Sequence, residues 1–362
     1  MIFWLTAVGV TPSAAAAAVK LLWRPTARNV VSPSSASVML DYEQKVHKAS
    51  TSSRIFFMLG MLHLPSCEGR GAPGNEEEIP METSKHERVW FITGASRGIG
   101  AEIAKAALAA GDRVVATARD PKSITDRFGR PEALLPVALD VTDEASVAAA
   151  VEAAVARFGR IDVLVNNAGY GVMGAIEETS GDEVRRVFET NVFGLLAVTR
   201  AVLPQLRKQR AGQILNISSL GGYRAGAGFG VYCSTKFAIE GISEALHAEL
   251  APLGIAVTVI EPGYFRTEFL EAKSVVETGK VIADYADTAG RVRSRAKAVS
   301  LQQPGDPERL ARVVVELTRA KNPPLRLPLG SDAVAAIEAK NALVAQELAA
   351  WRAVAESTDF PK

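Results

Sequence analysis

The sequence predicts an α/β protein: a single doubly wound parallel sheet flanked by helices, with a helical substrate flap near the C-terminal half. Three observations carry that expectation. From about Arg88 onward, short apolar runs rich in Val and Ile alternate with longer helical patterns, the order that builds a parallel sheet with helices on both faces. The connections between them are short. Two of the apolar runs end in sharp glycine turns, Thr93 to Gly100 and Asn166 to Gly169. Right-handed crossovers place such strand ends on one sheet edge, where ligands bind in folds of this kind.

Residues 1–85 precede this pattern and differ from it. They are rich in Ser, Ala, Pro and Gly and show no sustained helix or strand period. Met1 to Trp23 is apolar, but no basic stretch precedes the apolar run and Thr11-Pro12-Ser13 interrupts it, which argues against a signal peptide. Ile55 to Leu64 is too short to span a bilayer. Three readings stay open: a disordered extension, a weak membrane anchor, or sequence upstream of the true start, for which Met81 is the candidate. Residues 86–362 read as one folded domain.

Strand Val89 to Ile92 leads into Thr93-Gly94-Ala95-Ser96-Arg97-Gly98-Ile99-Gly100 and an alanine-rich helix. Strand, glycine turn and helix in succession form a dinucleotide-binding context of the Rossmann type. Gly94 permits the tight turn, Gly98 lets backbone approach a phosphate, Gly100 allows close helix–strand packing, and the helix N-terminus favours the anion. Thr93, Ser96, Arg97 and Ile99 complete this cofactor-binding set. The next strand, Arg113 to Ala118, ends in Arg119, where an acidic residue would hold a ribose 2′-hydroxyl. A cation there suits a 2′-phosphate, with Arg97 as second partner, and predicts NADP(H) over NAD(H). Asp120 beside it speaks the other way, and a solvated strand-end charge is the bland alternative for Arg119.

A third strand, Leu135 to Leu139, ends in Asp140-Val141, placed to meet an adenine edge. Helix Asp143 to Phe158 and strand Val163 to Val165 follow, ending in Asn166-Asn167-Ala168-Gly169. A long helical run from about Gly181 to Arg210 carries Asn191 among apolar neighbours, where a polar amide needs partners. It is either a functional group or a satisfied structural amide.

The centre of the chain is Gln213 to Gly241. Strand Ile214 to Ile217 ends in Ser218-Ser219, a glycine-rich loop spans Gly221 to Gly230, and Tyr232 with Lys236 opens a helix to Leu250. Tyr232 and Lys236 are four apart and share one helix face. A free tyrosine has a pKa of about 10, and a nearby ammonium lowers it, so the pair is equipped for acid–base work on a carbonyl or alcohol oxygen. An ordinary first-turn aromatic with a solvated lysine is the alternative for this pair taken alone. Strand Ile255 to Ile260 then runs into Glu261-Pro262-Gly263, with Thr267 placed to meet a nicotinamide carboxamide. Tyr264 to Ser300 is expected to fold as the helical flap. Tyr264, Phe265, Phe269, Tyr223, Phe229 and Met173 suggest an apolar pocket, with ordinary packing as the alternative for each. A helix from Asp306 to Ala320, a last strand at Leu325 to Leu327 and a helix from Asp332 to Val354 close the chain.

Composition sets limits. The 362 residues are 48% hydrophobic and 22% charged with a net charge of +1, which gives no bulk electrostatic case for nucleic-acid binding. Cys67 and Cys233 form no disulfide framework and suit a reducing cytoplasm, and no pair among His47, His63, His86 and His247 has metal-ligand helical spacing, so no metal is expected.

Taken together, Thr93 to Gly100, Asn166 to Gly169, Asn191, Ser219 and Tyr232 with Lys236 resemble the short-chain dehydrogenase/reductase family in order and spacing, including the thirteen positions from Ser219 to Tyr232. Arg119, Tyr264 to Thr267 and Leu325 to Gly330 look like its 17β-hydroxysteroid/retinol dehydrogenase-like branch. The resemblance implies that Tyr232 is the acid–base residue and that Lys236 lowers its pKa and holds the nicotinamide ribose. It implies that Ser219 hydrogen-bonds the reacting oxygen and that Asn191 anchors a water for proton relay. It also implies an NADP(H)-dependent oxidoreductase acting on a small carbonyl or alcohol, as a homodimer or homotetramer. A ketoacyl-carrier-protein reductase, with Arg224 toward an acidic carrier, and a non-catalytic NADP(H) sensor are the alternatives.

Overall fold

The computed structural model describes residues 87–360. The extension over residues 1–85, with the candidate start at Met81, lies outside the described residues. Nine strands and ten α-helices follow in the described part. They are β1 (Val89–Ile92), α1 (Gly98–Ala109), β2 (Arg113–Ala118), α2 (Lys122–Phe128), β3 (Leu134–Ala138), α3 (Glu144–Phe158), β4 (Val163–Asn166) and β5 (Gly171–Met173). Next come α4 (Gly181–Phe188), α5 (Gly194–Gln209), β6 (Gly212–Ile217), α6 (Leu220–Tyr223), α7 (Gly230–Leu250), β7 (Ile255–Pro262) and β8 (Val275–Glu277). The chain ends in α8 (Arg291–Val299), α9 (Pro307–Leu317), β9 (Arg326–Leu329) and α10 (Ser331–Glu356).

Seven strands form one parallel sheet in the order β3-β2-β1-β4-β6-β7-β9. Strand order reverses between β1 and β4, which opens a crevice at the C-terminal edge. The inner strands are apolar on both faces because both are covered. Trp90 and Ile92 pack with α1 and α9, while Phe91 and Val115 face the cluster that includes α3 and α5. Continuous rather than alternating hydrophobicity is what such strands require.

Local chemistry starts the helices. Asp143 Oδ1 accepts from the Ala145 amide (2.9 Å) and caps α3, and Asp306 caps α9 from just before Pro307. Ser180 and Glu183 make a reciprocal capping box at α4. The expected long helical run is real but broken by a π-helical turn, Glu189–Phe193, which contains Asn191.

Two expectations need correction. The loop after β6 begins with the short helix α6, because the Ser219 hydroxyl accepts from the Gly221 amide (3.0 Å) and caps it. The flap is helical only in its second part. Its first part holds a 3-10 turn, Glu268–Leu270, and strand β8, which pairs in parallel with β5 as a separate two-stranded sheet. Gly171 makes that pairing possible: a side chain there would sit 3.0 Å from Val275 and 3.3 Å from Phe269.

Candidate active site

The nucleotide end is assembled from two strand ends that hold each other. Thr93 Oγ1 accepts from the amides of Asn167 and Ala168 (2.9 Å each), and Asn167 Nδ2 donates to the carbonyls of Thr93 (2.9 Å) and Gly94 (3.0 Å). Gly94 and Gly98 have φ of +65° and +55°, a region that favours glycine. A methyl at Gly100 would collide with Asn167 Nδ2 and the Gly94 carbonyl, so the third glycine is fixed by packing. No side chain caps α1. Its first residues, Gly98 and Ile99, line the cavity with Ser96, and a helix N-terminus so placed is a seat whose dipole and donors match a pyrophosphate.

Asp140, Val141, Ala168, Gly169, Pro262, Gly263 and Thr267 line the same cavity, as does Arg119. Arg119 makes no side-chain hydrogen bond or ion pair among the described residues. The Asp120 carboxylate accepts from the Lys122 amide (2.9 Å) at the start of α2. Asp140 accepts from both the hydroxyl and the amide of Thr142 (2.7 and 3.0 Å), which hold its carboxyl below the usual range. Arg97 is placed differently from expectation. It donates to the Lys273 carbonyl of the flap (2.6 Å), because the loop before β8 passes over the glycine turn.

At the other end of the cavity lie Ser219, Tyr232 and Lys236. Tyr232 is 8% exposed, with its ring centroid 5.6 Å from that of Phe269 and 6.1 Å from that of Phe229. Burial pushes its phenol up, and the Ser219 hydroxyl beside it pulls the other way. Burial is the largest influence on the phenol, where the spacing alone pointed to the lysine. Lys236 Nζ lies 5.8 Å from the Tyr232 ring and donates to the Ile217 carbonyl (2.7 Å). Burial lowers its ammonium to about 8, while the charge of Glu240 opposes the loss of the proton.

Asn191 is not brought to the cavity by its side chain. Its Nδ2 donates to the Tyr170 carbonyl (2.9 Å) and Thr235 Oγ1 (3.1 Å), and its Oδ1 accepts from the Tyr170 amide (3.0 Å). The amide is spent on bracing the segment after Gly169 against α7. Of the expected pocket aromatics, Phe229, Phe269, Phe265 and Tyr264 line the cavity. Met173 is buried beneath it against Val275 and Phe269. Tyr223 turns away and its hydroxyl donates to Asn341 on α10. Burial pushes the Cys233 thiol up, which favours an unreactive thiol.

Several participants had no sequence signal. Glu178, reaching the flap from the segment after β5, accepts from the Ala175 and Ile282 amides (2.7 and 2.8 Å) and from Arg293. Glu240 and Glu261 lie buried behind Lys236 and Pro262, with Arg326 between them. A helix-face count from Tyr232 through Lys236 would have reached Glu240; nothing local points to Arg326.

The cavity of about 1370 Å³ thus joins a phosphate-binding turn to a Ser–Tyr–Lys set, the equipment of a nicotinamide-dependent oxidoreductase. The short chain dehydrogenase family matches residues 88–277. Oxidoreductase BOA17 of Botryotinia fuckeliana is 43% identical over 250 residues, covering 68% of this chain and 90% of that protein. A short-chain dehydrogenase from Streptomyces avermitilis has a structure with a TM-score of 0.71 and 42% identity, covering 76% of this chain and all of the other. The 3-ketoacyl-(acyl-carrier-protein) reductase of Brucella melitensis, solved with NADH, has a TM-score of 0.56 at 28% identity, covering 67% and 96%. ElxO, solved with NADP, has a TM-score of 0.58 at 27% identity, covering 69% and 100%. The chain belongs to the short-chain dehydrogenase/reductase family; it is an oxidoreductase that uses a nicotinamide cofactor.

Proposed function

We propose that this enzyme interconverts a carbonyl and an alcohol on a small apolar substrate, with NADP(H) as cofactor and Tyr232 as acid–base, in the cytoplasm. The observation that carries the reading is the buried Tyr232, with Lys236 one turn on and Ser219 beside it, in the cavity that also holds the glycine turn. The nicotinamide, when bound, supplies or accepts the hydride. The chain does the rest. Ser219 orients the substrate oxygen, and Tyr232 gives that oxygen a proton in reduction or takes one in oxidation. Lys236 holds positive charge beneath the ring so that phenolate is tolerated in a dry site. Phe229, Phe269, Leu270 and Val292 supply apolar wall, which favours a hydrophobic substrate body.

Arg119 supports the NADP(H) preference: it is a cation at the end of β2 with no side-chain hydrogen bond or ion pair among the described residues, its charge reaching Asp140 only through space, while Asp120 is engaged by α2. Arg97 is a secondary partner, since it already holds Lys273. A carrier-protein substrate is the second reading, favoured by Arg186 and Arg224 on the cavity lining. The test is oxidation of NADPH and NADH by the purified full chain over a panel of apolar ketones and aldehydes, with a ketoacyl thioester included. Turnover of free ketones with NADPH preferred is the expected result. Turnover of the thioester alone selects the second reading, and tight NADPH binding without any turnover overturns the enzymatic role of Tyr232.

A further inference from the structure

Glu240 stands one helical turn beyond Lys236 on the face of α7 that carries Tyr232. Glu261 immediately precedes Pro262-Gly263, and Ser218 immediately precedes Ser219. These three residues meet behind the site, each a turn or a single residue away from a group that lines the cavity. Glu240 and Glu261 are 6% and 1% exposed, and Ser218 is buried as well. Arg326, reaching in from β9, places its Nε 3.2 Å from Glu240 Oε2 and 3.6 Å from Glu261 Oε1, and its other arm bonds Glu244 at the surface. Gly222 of α6 closes the cluster. A methyl there would strike Ser218 Oγ and would lie 3.1 Å from both Glu240 Oε1 and the Lys236 carbonyl.

We propose that Glu240 is a positioning residue that keeps Lys236 protonated, and that Glu261 shares a proton with it so that the buried pair carries a single negative charge. This deepens the reading of Tyr232 and Lys236 as the acid–base pair and rests on it.

The charge count leads there. Two buried carboxyl groups face one guanidinium, and that guanidinium is also claimed by Glu244. Two like charges in a dry site cannot both ionise freely, so one proton is held between them. Glu240 Oε1, Glu261 Oε1 and Ser218 Oγ are buried with no hydrogen-bond partner from outside the cluster among the described residues, while the Ser218 hydroxyl and the Glu261 carboxyl both act on Glu240. A proton on Glu261 removes one of those deficits by turning an acceptor into a donor. Burial, and then the charge of Glu240, push the Glu261 carboxyl up to about 7, and burial raises Glu240 as well. The charged and titratable groups that face the pair are Lys236 and Glu244 from α7 and Arg326 from β9; β6 presents Ser218 and α6 presents Gly222. Burial brings the Lys236 ammonium down to about 8 even with the Glu240 charge opposing it, so a Lys236 without that charge would give up its proton more readily still.

Carbon-13 lysine NMR on the cofactor-free full chain, titrated with pH, reads Lys236 without any turnover. Glu240→Gln is expected to lower the Lys236 midpoint by about one pH unit, Glu240→Asp to restore it, and Glu261→Gln to move it far less. Infrared difference spectra across neutral pH are expected to show a buried carboxylic acid that Glu261→Gln abolishes. An unmoved lysine midpoint in Glu240→Gln overturns the positioning role, and a missing carboxylic-acid band in the wild type overturns the shared proton. Should Glu240→Gln fail to fold, Arg326→Gln tests the same pair. Loss of the cation is expected to move the carboxyl titration to higher pH, and an unmoved titration overturns the proposal. If the full chain turns over no carbonyl, the function proposed above fails while the NMR and infrared results still decide the cluster.

Discussion

The two ends of the cavity are held in different ways. The nucleotide end is built from neighbours in motif: Thr93, Gly94, Asn167 and Ala168 close on one another through main-chain and short side-chain bonds at two strand ends. The substrate end is built from distant partners. Phe269 reaches Tyr232, Arg293 reaches Glu178, and Arg97 reaches Lys273. Main-chain geometry that binds a phosphate leaves a glycine signature, whereas a wall of side chains leaves only composition. The first end is therefore expected to tolerate almost no substitution, and the second to change specificity and closure before it loses the fold.

The largest expected effect lies where the two ends meet. Tyr232→Phe should lower kcat by at least about a thousandfold, in the range for losing a positioned acid–base group, while NADPH affinity by fluorescence titration stays within about twofold of wild type. Lost binding with retained turnover would place the chemistry elsewhere. Next is the nucleotide end. Gly100→Ala should cost about 1–3 kcal/mol in urea denaturation, because the added methyl meets Asn167 and the Gly94 carbonyl, and should weaken both nicotinamide cofactors alike. Arg119→Ala should separate them. Losing a charge-assisted contact worth about 1.5–3 kcal/mol raises the KM for NADPH about tenfold or more and leaves that for NADH nearly unchanged. Equal effects on the two cofactors would remove Arg119 from phosphate recognition.

At the substrate end, Glu178→Gln should leave the fold and the cofactor affinity in place but expose the 278–293 segment to limited proteolysis and raise the substrate KM several-fold. The amides of Ile282 and Ala175, then Arg293, hold the Glu178 carboxyl below its usual range. That contact is present above the unfolded pKa and is lost only as pH falls through the lowered folded value, so wild-type flap protection should persist into mildly acidic buffer. The smallest effect is thermal. Glu261 has a folded pKa raised to about 7. Its protonated form stabilises fully below the unfolded value of about 4.3, and that contribution fades as pH rises through 7. Glu261→Gln should therefore flatten the fall in Tm between about pH 5 and pH 7.5; an unchanged slope would remove Glu261 from that window.

Legibility follows the same division. Strand runs such as Val89–Ile92 and Ile255–Ile260 were readable because doubly covered strands are apolar throughout, and the helix starts at Asp143 and Asp306 because the signals that begin a helix act within a few residues. Tyr232 and Lys236 were readable as a pair because four-residue spacing puts them on one helix face, and Ser219 was readable through the family resemblance, whose spacing to Tyr232 it matches. Asn191 was readable as a buried amide that needs partners, but its partners Tyr170 and Thr235 come from other elements and take it out of the cavity. Tyr223 stood in a glycine-rich loop that suggested a pocket wall, until α10 offered Asn341.

The sequence by itself determined the parallel sheet, its ligand-binding edge, the phosphate turn and the tyrosine–lysine pair, because periodicity, glycine φ and helix-face spacing are local quantities. Only the tertiary structure decided that Arg97 faces the flap, that β5 and β8 pair, that Tyr232 is buried against Phe229 and Phe269, and that Glu240, Glu261 and Arg326 share one buried site. Each of those depends on which distant groups are excluded from water together, and the cost of burying a charge belongs to the assembled environment and to no single residue.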